Sequence, residues 1–442
     1  MVPAAKIALI SPCGWGNLGD EAILHSLIHG IRARVPGARL LAFTQNPEDT
    51  ARRHSIEAHT LIGFSVPHYG MAAPGAAAAP AMGGSPSQRI GSRSIVSSAI
   101  ESARKIVPRG ALRAVLAAPL RAAEEAPHLK RSLALLEGCT AVVVAGGGQL
   151  DDLFGGAFGH PYALLRWGLL ARGARAPFSF LSVGTGRLAT PLSRFFIHRA
   201  LALAQYRSFR DARSRELAGA PRLVGSDPIV PDLAYGLPLQ QQPAPRRERL
   251  TVGLSPMAFC DPRQWPVDDA ARYRRHVRSF GAIAAGLARQ GHEVVLFATD
   301  GEPQALEDTR AEAVQGDPAA AALVRIEPAD SVPSLFALLA RLDLVVAARL
   351  HGVLLSHLAL RPTLAIAHER KVRTLMEETG QRELCLDIDA LEAPEALERI
   401  RKIATDRERL VQQIAASVAE RRRQVEDQYD RLFLSRVSSA AA

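Results

Sequence analysis

Cysteine, aromatic side chains and long apolar runs are all scarce in this sequence of 442 residues. The four cysteines, Cys13, Cys139, Cys260 and Cys385, lie far apart, and no CxxC or Cys/His ligand spacing is present. This excludes a disulfide-stapled or zinc-stapled module and favours a reduced, cytoplasmic protein. Aromatic residues make up 5%, too few for a platform that stacks nucleic-acid bases. No apolar stretch approaches the roughly 18 residues that a membrane span needs.

The basic charge is concentrated in the first half of the chain. Residues 1–245 carry a net charge of +11 and residues 246–442 a net charge of −1, and only five of the 54 basic residues are lysine. An excess of this kind fits an anionic lipid or a phosphate-bearing ligand better than nucleic acid. A GC-rich genome, which favours arginine and alanine, is the alternative source of the same bias.

Short apolar runs alternate with helical patterns, which is typical of parallel α/β units. The first set of predicted strands lies near 6–11, 39–43, 141–145, 178–183 and 206–209, and the second near 251–255, 293–298, 324–327, 344–347 and 363–367. Helices are predicted over 270–290 and 352–359, and over 392–434 with a break near Thr405. The fold class is therefore α/β, with two Rossmann-like domains that face each other across a cleft.

The predicted organisation is an N-terminal Rossmann-like domain over 1–235, a linker over 236–249, a C-terminal Rossmann-like domain over 250–390 and a helical segment over 391–442. A low-complexity and basic insertion interrupts the first domain at about 71–131. Its second part carries Arg104, Lys105, Arg109, Arg113, Arg121, Lys130 and Arg131 among apolar residues. Both a solvated helix and a helix in peripheral contact with the inner face of the membrane are compatible with that pattern.

Glycine-rich turns follow three of the strands predicted in the first half. The first turn contains Gly16, Asn17, Asp20 and Glu21 in a GxGxxG pattern, but no acid ends the next strand to hold a ribose, which argues against NAD. The carboxylates of Asp20 and Glu21 suit either a helix cap or the binding of sugar hydroxyls. The other two turns hold Gly147, Gly148 and Asp152, and Gly184 and Gly186. Two glycine turns at neighbouring strand ends predict a ligand cleft, with tight strand-to-helix turns as the alternative.

Charged side chains follow several of the strands. Arg210 ends the last predicted strand of the first half, where it either grips an anion or pairs with Asp211. Arg349 and His351 follow the buried run Leu344–Ala348, and Lys371 comes after the next strand. Arginine supplies a permanent charge and histidine exchanges a proton near neutral pH, so this pair indicates a functional site. His357, on the helix that follows, is predicted to be only packed.

Six segments resemble the pattern of the polysaccharide pyruvyl transferase family. They are GWGNLGDEAIL (14–24), GGGQLDD (146–152), SVGTG (182–186), FRDARSREL (209–217), SDP (226–228) and RLHGVLLSHLALRPTLAIAHERKV (349–372). The last is the most specific, and all six occur in the family's order. The chain departs from the family pattern at Val183, Arg187, His368 and Glu369.

The resemblance implies a fold like that of the GT-B glycosyltransferases and the transfer of a pyruvyl group from phosphoenolpyruvate to a sugar as a cyclic ketal, in cell-surface polysaccharide synthesis. It implies that Arg210, Arg349, Leu350 and Lys371 bind the donor, that His351 is the catalytic acid and that Arg349 is catalytic as well. The acceptor is then a sugar, free or lipid-linked, held on the glycine-turn side of the cleft. No metal or other cofactor is implied, and nucleic acid is not an expected partner.

Two other functions are compatible with the same residues. A GT-B glycosyltransferase that uses a nucleotide sugar shares the fold and the glycine turns. A catalytically silent member that binds glycan or scaffolds a synthesis complex shares the fold without the chemistry.

Overall fold

The computed structural model describes residues 5–14, 16–63, 124–153, 155–219, 227–238, 249–263, 265 and 269–434. Most of the predicted insertion at 71–131 and most of the predicted linker at 236–249 lie outside these residues, as does Ser226 of the SDP motif. The predicted domain limits, 1–235, 250–390 and 391–442, stay predictions.

A parallel six-stranded sheet forms the first half, in the spatial order β3-β2-β1-β4-β5-β6. Its strands are β1 (Lys6–Ile10), β2 (Arg39–Thr44), β3 (Glu57–Thr60), β4 (Cys139–Leu150), β5 (Phe178–Thr185) and β6 (Tyr206–Phe209). The helices around it are α1 (Leu18–Arg34), α2 (Pro47–His54), α3 (124–136), α4 (His160–Gly173), α5 (Pro191–Leu203) and α6 (Ala212–Ala218). The central strands are almost wholly buried, because helices cover both faces of the sheet.

A second parallel six-stranded sheet follows, in the order β12-β11-β10-β7-β8-β9. Its strands are β7 (Thr251–Ser255), β8 (Glu293–Leu296), β9 (Val324–Ile326), β10 (Leu344–Ala347), β11 (Thr363–Ala367) and β12 (Cys385–Asp387). Its helices are α7 (Ala270–Arg289), α8 (Pro303–Gly316), α9 (Val332–Arg341), α10 (Leu350–Leu358) and α11 (Arg370–Glu378). The prediction of two α/β units with parallel sheets is confirmed, and only the short strands β3 and β12 were not predicted.

Two helices follow the second sheet, α12 (Ala393–Thr405) and α13 (Arg407–Tyr429), which confirms the predicted break near Thr405. Although α13 follows the second sheet in sequence, its end packs on the first. Gln428 lies in the interior, donates a hydrogen bond to Ser182 Oγ at 3.2 Å and accepts one from Tyr206 at 3.0 Å. Arg422 donates to the carbonyl oxygens of Tyr235 and Leu237. Helix α13 therefore connects the part of the chain after the second sheet to the N-terminal half.

Local signals fix the helix starts that border the cleft. The Asn17 side chain accepts hydrogen bonds from the backbone N–H groups of Gly19 and Asp20 and so caps α1. Asp211 caps α6 in the same way, through Ser214 N at 2.6 Å. No side chain caps α10, whose first residues follow Arg349. The uncapped start of α10 faces the first half of the molecule.

Candidate active site

A narrow cleft lies between the two halves, at the carboxyl ends of strands from both sheets. Its lining includes Arg210, Asp211, Asp232 and Tyr235 from the first half, Leu350, Lys371 and Glu378 from the second, and Arg421 from α13. Three of the four residues predicted to bind the donor, Arg210, Leu350 and Lys371, are therefore brought together. Clefts at this edge of parallel sheets are the usual ligand sites of α/β proteins.

Arg210 enters the cleft because the residue beside it has no side chain. A Cβ atom on Gly184 would lie 2.7 Å from Arg210 Nη2, closer than real Cβ contacts come. The guanidinium lies 3.5 Å from a carboxylate oxygen of Asp211 and 3.5 Å from one of Asp232. Both separations exceed that of a charge-assisted hydrogen bond. Arg210 thus keeps N–H donors that no described residue takes up.

His351 crosses to the first half and packs on the start of α1. A Cβ atom on Gly19 would lie only 1.9 Å from His351 Nδ1, so the imidazole rests directly on the glycine backbone. Its other nitrogen, Nε2, is 3.6 Å from Asp232 Oδ2, slightly beyond hydrogen-bond distance. His351 Nε2 and Asp232 Oδ2 are both buried, and neither has a hydrogen-bond partner among the described residues. His357, by contrast, is only packed, as predicted: it is buried within α10.

Asp232 lies between Arg210 and His351, since the same oxygen, Oδ2, is within 3.6 Å of both side chains. Its other oxygen accepts a hydrogen bond from Ala234 N at 3.0 Å. Burial alone would raise the pKa of Asp232, but the neighbouring His351 and Arg210 lower it below its ordinary value. Asp232 is therefore an ionised residue that orients both neighbours, and the sequence analysis did not identify it.

The two acids of the first turn have different surroundings. Glu21 is buried, accepts from Gly14 N at 3.2 Å and lies 2.6 Å from His54 Nε2. It therefore supports the turn, while Asn17 is the residue that caps α1. Asp20 lies at the cleft wall, near His351 and Asp232. Burial raises the pKa of Asp20 to about 6, with His351 acting in the opposite direction. Asp20 can therefore gain or lose a proton near neutral pH, whereas Glu21 supports the turn.

Arg349 is held by acids of its own half. Its guanidinium binds both carboxylate oxygens of Glu302 and lies 3.2 Å from Asp300. Burial opposes the charge, but Glu302 and Asp300 raise the pKa of Arg349 above its ordinary value. Its predicted role as a donor ligand stays a prediction, because in this structure its charge is already balanced. The sequence analysis did not identify Asp300 or Glu302. The segment TDGE at 299–302, which places two acids shortly after strand β8, could have indicated them.

The uncapped start of α10 forms a cradle for an anion. The first backbone hydrogen bond within the helix is from Val353 N to Arg349 O, so the N–H groups of Leu350, His351 and Gly352 precede it. Two fully buried hydroxyls, Ser255 Oγ and Thr299 Oγ1, have no hydrogen-bond partner among the described residues. Both lie within 4 Å of where a Cβ of Gly352 would be. Free N–H groups and hydroxyl donors are suited to phosphate or carboxylate oxygens.

Lys371 and its neighbours form a charged group at the start of α11. Glu369 accepts from His368 Nε2 at 2.8 Å and from Lys371 Nζ at 2.7 Å. Burial would raise the pKa of Glu369, but His368 and Lys371 lower it well below its ordinary range. Glu369 is thus held ionised and is a poor proton donor.

The two predicted glycine turns begin inside their strands, because Gly147 and Gly148 belong to β4 and Gly184 to β5, and only Gly186 follows its strand. Both strands are therefore longer than predicted, and the pairing of β4 with β5 shifts register between Gly147 and Leu150. These glycine turns lie on the first-half side. Asp152 Oδ2 accepts from Ala189 N at 2.8 Å and Thr190 N at 3.3 Å, so it ties the two turns together. The backbone of Gly186 lies against Asp151, and that of Gly147 against Asp20. Gly148 and Gly16 face open space. These turns border the cleft next to Asp20 and Arg210, although Asp152 itself serves the loop structure.

Among the described residues, no group of three or more His, Cys, Asp or Glu side chains is arranged to hold a metal ion. None of the described helices is both long and apolar enough to cross a membrane. What the cleft does offer is a set of cations and N–H donors around an acid–base pair, His351 with Asp232, and a second titratable acid, Asp20.

Comparison with known proteins gives one family. The family model described as polysaccharide pyruvyl transferase matches residues 17–370, most of the chain. No protein of curated function matches.

Solved structures resemble the chain in fold. HepE from Anabaena, in complex with UDP, has a TM-score of 0.52 at 12% identity, with 98% of this chain and 100% of that chain covered. MnaA from S. aureus with UDP has a TM-score of 0.53 at 9% identity, covering 93% and 91%. UDP-GlcNAc 2-epimerase from Methanocaldococcus jannaschii has 0.54 at 8%, covering 90% and 92%. The TM-scores and coverages indicate a shared architecture of two α/β halves around a cleft, as predicted, and identities this low limit the likeness to the fold.

Proposed function

The chain belongs to the polysaccharide pyruvyl transferase family, and from that premise we propose that it transfers a pyruvyl group from phosphoenolpyruvate to two hydroxyl groups of a sugar. The product is a cyclic ketal on a cell-surface polysaccharide or its precursor, and inorganic phosphate is released. The observation that carries the proposal is the convergence of Arg210, Lys371 and the uncapped start of α10 on one cleft between the halves.

This convergence matches the charge of the donor. Phosphoenolpyruvate has a phosphate and a carboxylate about 4–5 Å apart, and binding both requires donors from more than one direction. Arg210 comes from the first half with free N–H groups, and Lys371 from the second. The cradle of α10, with Ser255 and Thr299, supplies uncharged donors for one of the two anions. Arg349 would support this cradle through Glu302 and Asp300 rather than act alone.

The reaction needs one proton donor and one acceptor. Protonation of the methylene carbon of phosphoenolpyruvate creates an electrophilic centre at C2, and a sugar hydroxyl attacks it and loses its proton. Phosphate then leaves with the electrons of its C2–O bond. A second sugar hydroxyl attacks C2 and closes the ketal, and its proton passes to the departing phosphate, which is released as hydrogen phosphate. In this scheme His351, oriented by Asp232, protonates the carbon. Asp20, with a pKa of about 6, accepts a proton from the sugar.

The position of Asp20 also suggests where the acceptor lies. Asp20 is beside Gly147 on the first-half wall, and the exposed backbone of Gly148 follows. Carboxylates and bare backbone are suitable partners for sugar hydroxyls. The donor is thus proposed to lie against α10 and Arg210, with the sugar between it and the first glycine turns.

A nucleotide-sugar transfer is the second candidate. HepE and MnaA were solved with UDP, and the start of α10 would suit a diphosphate as well as a single phosphate. Ligand-induced stabilisation separates the two. We expect phosphoenolpyruvate, but neither UDP nor UDP-GlcNAc, to raise the melting temperature in a saturable way, and Arg210→Ala to abolish the shift. Stabilisation by UDP alone would favour the second candidate.

The product decides the reaction itself. We expect mass spectrometry of glycans from cells without the gene to show loss of a pyruvyl ketal, restored by the wild-type chain and not by His351→Gln. Unchanged ketal content would contradict the proposed transfer.

A further inference from the structure

An apolar surface lies outside the cleft on the first half of the molecule. Leu153, Phe158, Leu192 and Phe195 are each between 40% and 54% exposed, and together we name them the aromatic face. Phe158 packs against Phe196 with ring centroids 5.8 Å apart, and Phe195 is 5.9 Å from Phe196. Exposed clusters of large apolar side chains mark contact surfaces rather than ordinary solvent-facing positions.

Two exposed arginines share helix α5 with part of the aromatic face. Between residues 138 and 210 the sequence has eight arginines and only two acids, Asp151 and Asp152. Both acids accept backbone hydrogen bonds within the glycine turns. Five of the arginines form no ion pair within the part of the chain that the structure describes: Arg172, Arg175, Arg187, Arg194 and Arg199. Of these, Arg172 and Arg175 lie at the end of α4 that is away from Phe158. Arg194 and Arg199 are exposed on α5, the same helix as Leu192 and Phe195.

This face is next to the cleft. Leu153 directly follows Asp151 and Asp152, and Asp152 holds Ala189 and Thr190, the residues that lead into α5. A partner seated on the aromatic face therefore lies beside the turns where we place the sugar acceptor.

We propose that the aromatic face and its arginines bind the surface of an anionic lipid bilayer. Apolar rings that enter the interface, with arginines at the level of the headgroups, are the two components of peripheral attachment. A second copy of the chain is disfavoured as the occupant, because a symmetric dimer through this face would place the same arginines against each other. The inference deepens the proposed function, since a lipid-linked acceptor would then arrive at the cleft from the membrane.

The basic stretch of the insertion offered a different candidate for membrane contact. Arg104, Lys105, Arg109, Arg113 and Arg121 lie outside the described residues, and only Lys130 and Arg131 fall within them, exposed on α3. The aromatic face is a separate surface, with its own apolar side chains, and is tested separately.

Vesicle binding tests the charges. The full chain is sedimented with vesicles of phosphatidylcholine alone and with about 30% phosphatidylglycerol. We expect binding only to the anionic vesicles and a loss of binding as salt is raised. Arg194→Glu with Arg199→Glu should reduce partitioning by about tenfold or more, because each cation near such a surface contributes substantially. Arg274→Glu with Arg278→Glu, the same charge change on exposed positions of α7, is the matched control and should bind normally.

Fluorescence tests insertion of the apolar residues. Phe195→Trp should show quenching by brominated acyl chains in anionic vesicles. Leu434→Trp, at a position of similar exposure far along the chain, should not. Because the two arginine substitutions lie on exposed positions, they keep the proposal testable if the tryptophan variant fails to fold.

The outcomes are distinct. Salt-insensitive or absent vesicle binding, an equal loss in the arginine variant and its control, or equal quenching at both tryptophans would each overturn the proposal. A dimer in solution would also overturn the proposal if the arginine variant leaves it intact and the double variant Phe158→Ser with Phe195→Ser dissociates it. The aromatic face would then be an interface between copies of the chain. These measurements use neither donor nor acceptor, so their failure would leave the proposed transfer untouched, and a failed transfer assay would leave the membrane surface untouched.

Discussion

The contact between Gly19 and His351 allows one substitution to test the geometry of the whole cleft. In Gly19→Ala, the new Cβ would lie 1.9 Å from His351 Nδ1, so the imidazole has to retreat by about 1.5 Å to reach ordinary van der Waals contact. Alternatively, the two halves have to separate by a similar amount. The first movement changes the position of the imidazole relative to Asp232 and to the start of α10, and the second takes His351 and the start of α10 together away from Asp232.

The expected effect is large on activity and small on folding. Misplacement of a reacting group by about 1 Å costs on the order of 10²-fold, so we expect kcat/KM to fall by about that factor, or about 2.7 kcal/mol in transition-state stabilisation. Alanine is favoured over glycine within a helix by about 1 kcal/mol, which offsets part of the local strain in α1. The melting temperature should therefore change by only a few degrees.

The assay measures phosphate release from phosphoenolpyruvate with saturating acceptor, alongside thermal unfolding. Gly316→Ala is the matched control, because Gly316 also lies in a helix and a Cβ there meets nothing within 4 Å. It should retain full activity. Wild-type kcat/KM in Gly19→Ala would show that His351 does not rest on α1 when the reaction takes place, and would refute the arrangement described here.

Four further outcomes are expected. Arg210→Ala should lower kcat/KM for phosphoenolpyruvate by the equivalent of about 2–4 kcal/mol of transition-state stabilisation, with little change in melting temperature. Arg349→Ala should lower the melting temperature as well, because it leaves Glu302 and Asp300 without their cation. Equal melting temperatures of the two variants would contradict this. His351→Gln should retain donor binding by calorimetry while turnover falls by roughly 10²–10⁴-fold. The pKa of Asp20 is raised from 3.8 to about 6, so the folded state loses stability as the pH rises through this interval and Asp20 becomes ionised. Asp20→Asn should therefore melt at a higher temperature than the wild type at pH 7.5 and lose this advantage near pH 4. A difference in melting temperature that does not depend on pH would argue against a buried carboxyl. Gln428→Ala should cost about 2–3 kcal/mol of unfolding free energy in denaturant titrations, because Ser182 and Tyr206 lose a buried partner.

Sequence patterns predicted the sheets well because most of the strands are buried on both faces. Runs such as 141–145 and 344–347 are continuously apolar, which is what a central parallel strand requires. The missed strands are short edge strands: β3 has the sequence EAHT and is partly exposed along its length, and β12 has three residues. Such segments pair because the neighbouring strand is already in place, so their own sequence carries little signal.

The candidate site was predictable where a residue follows a strong strand. Arg210, Leu350 and Lys371 meet this condition, and the structure brings them to one cleft. Asp232 does not, since it precedes only a short turn, and its position between Arg210 and His351 depends on how the two halves meet. The pairing of Arg349 with Glu302, 47 positions away, likewise depends on packing and not on local sequence.

The aromatic face illustrates a different limit. The sequence of α5, PLSRFFIHRALAL, contains buried Ile197 beside exposed Phe195, and composition alone does not tell which side of the helix meets the sheet. Only the packed arrangement shows that the rings and the arginines share the outer surface.

The return of α13 to the first sheet has a consequence for how the protein is made. The Ser208 hydroxyl donates a hydrogen bond to Gln428 Oε1, and Gln428 lies 220 positions later in the chain. At roughly 5–20 residues per second, synthesis of that interval takes about 10–45 s. During this time all strands of the first sheet have been synthesised, but the end of α13, which packs on them, has not. The N-terminal half therefore reaches its final packing only after the second half has been synthesised, although it is the first part of this chain to be made.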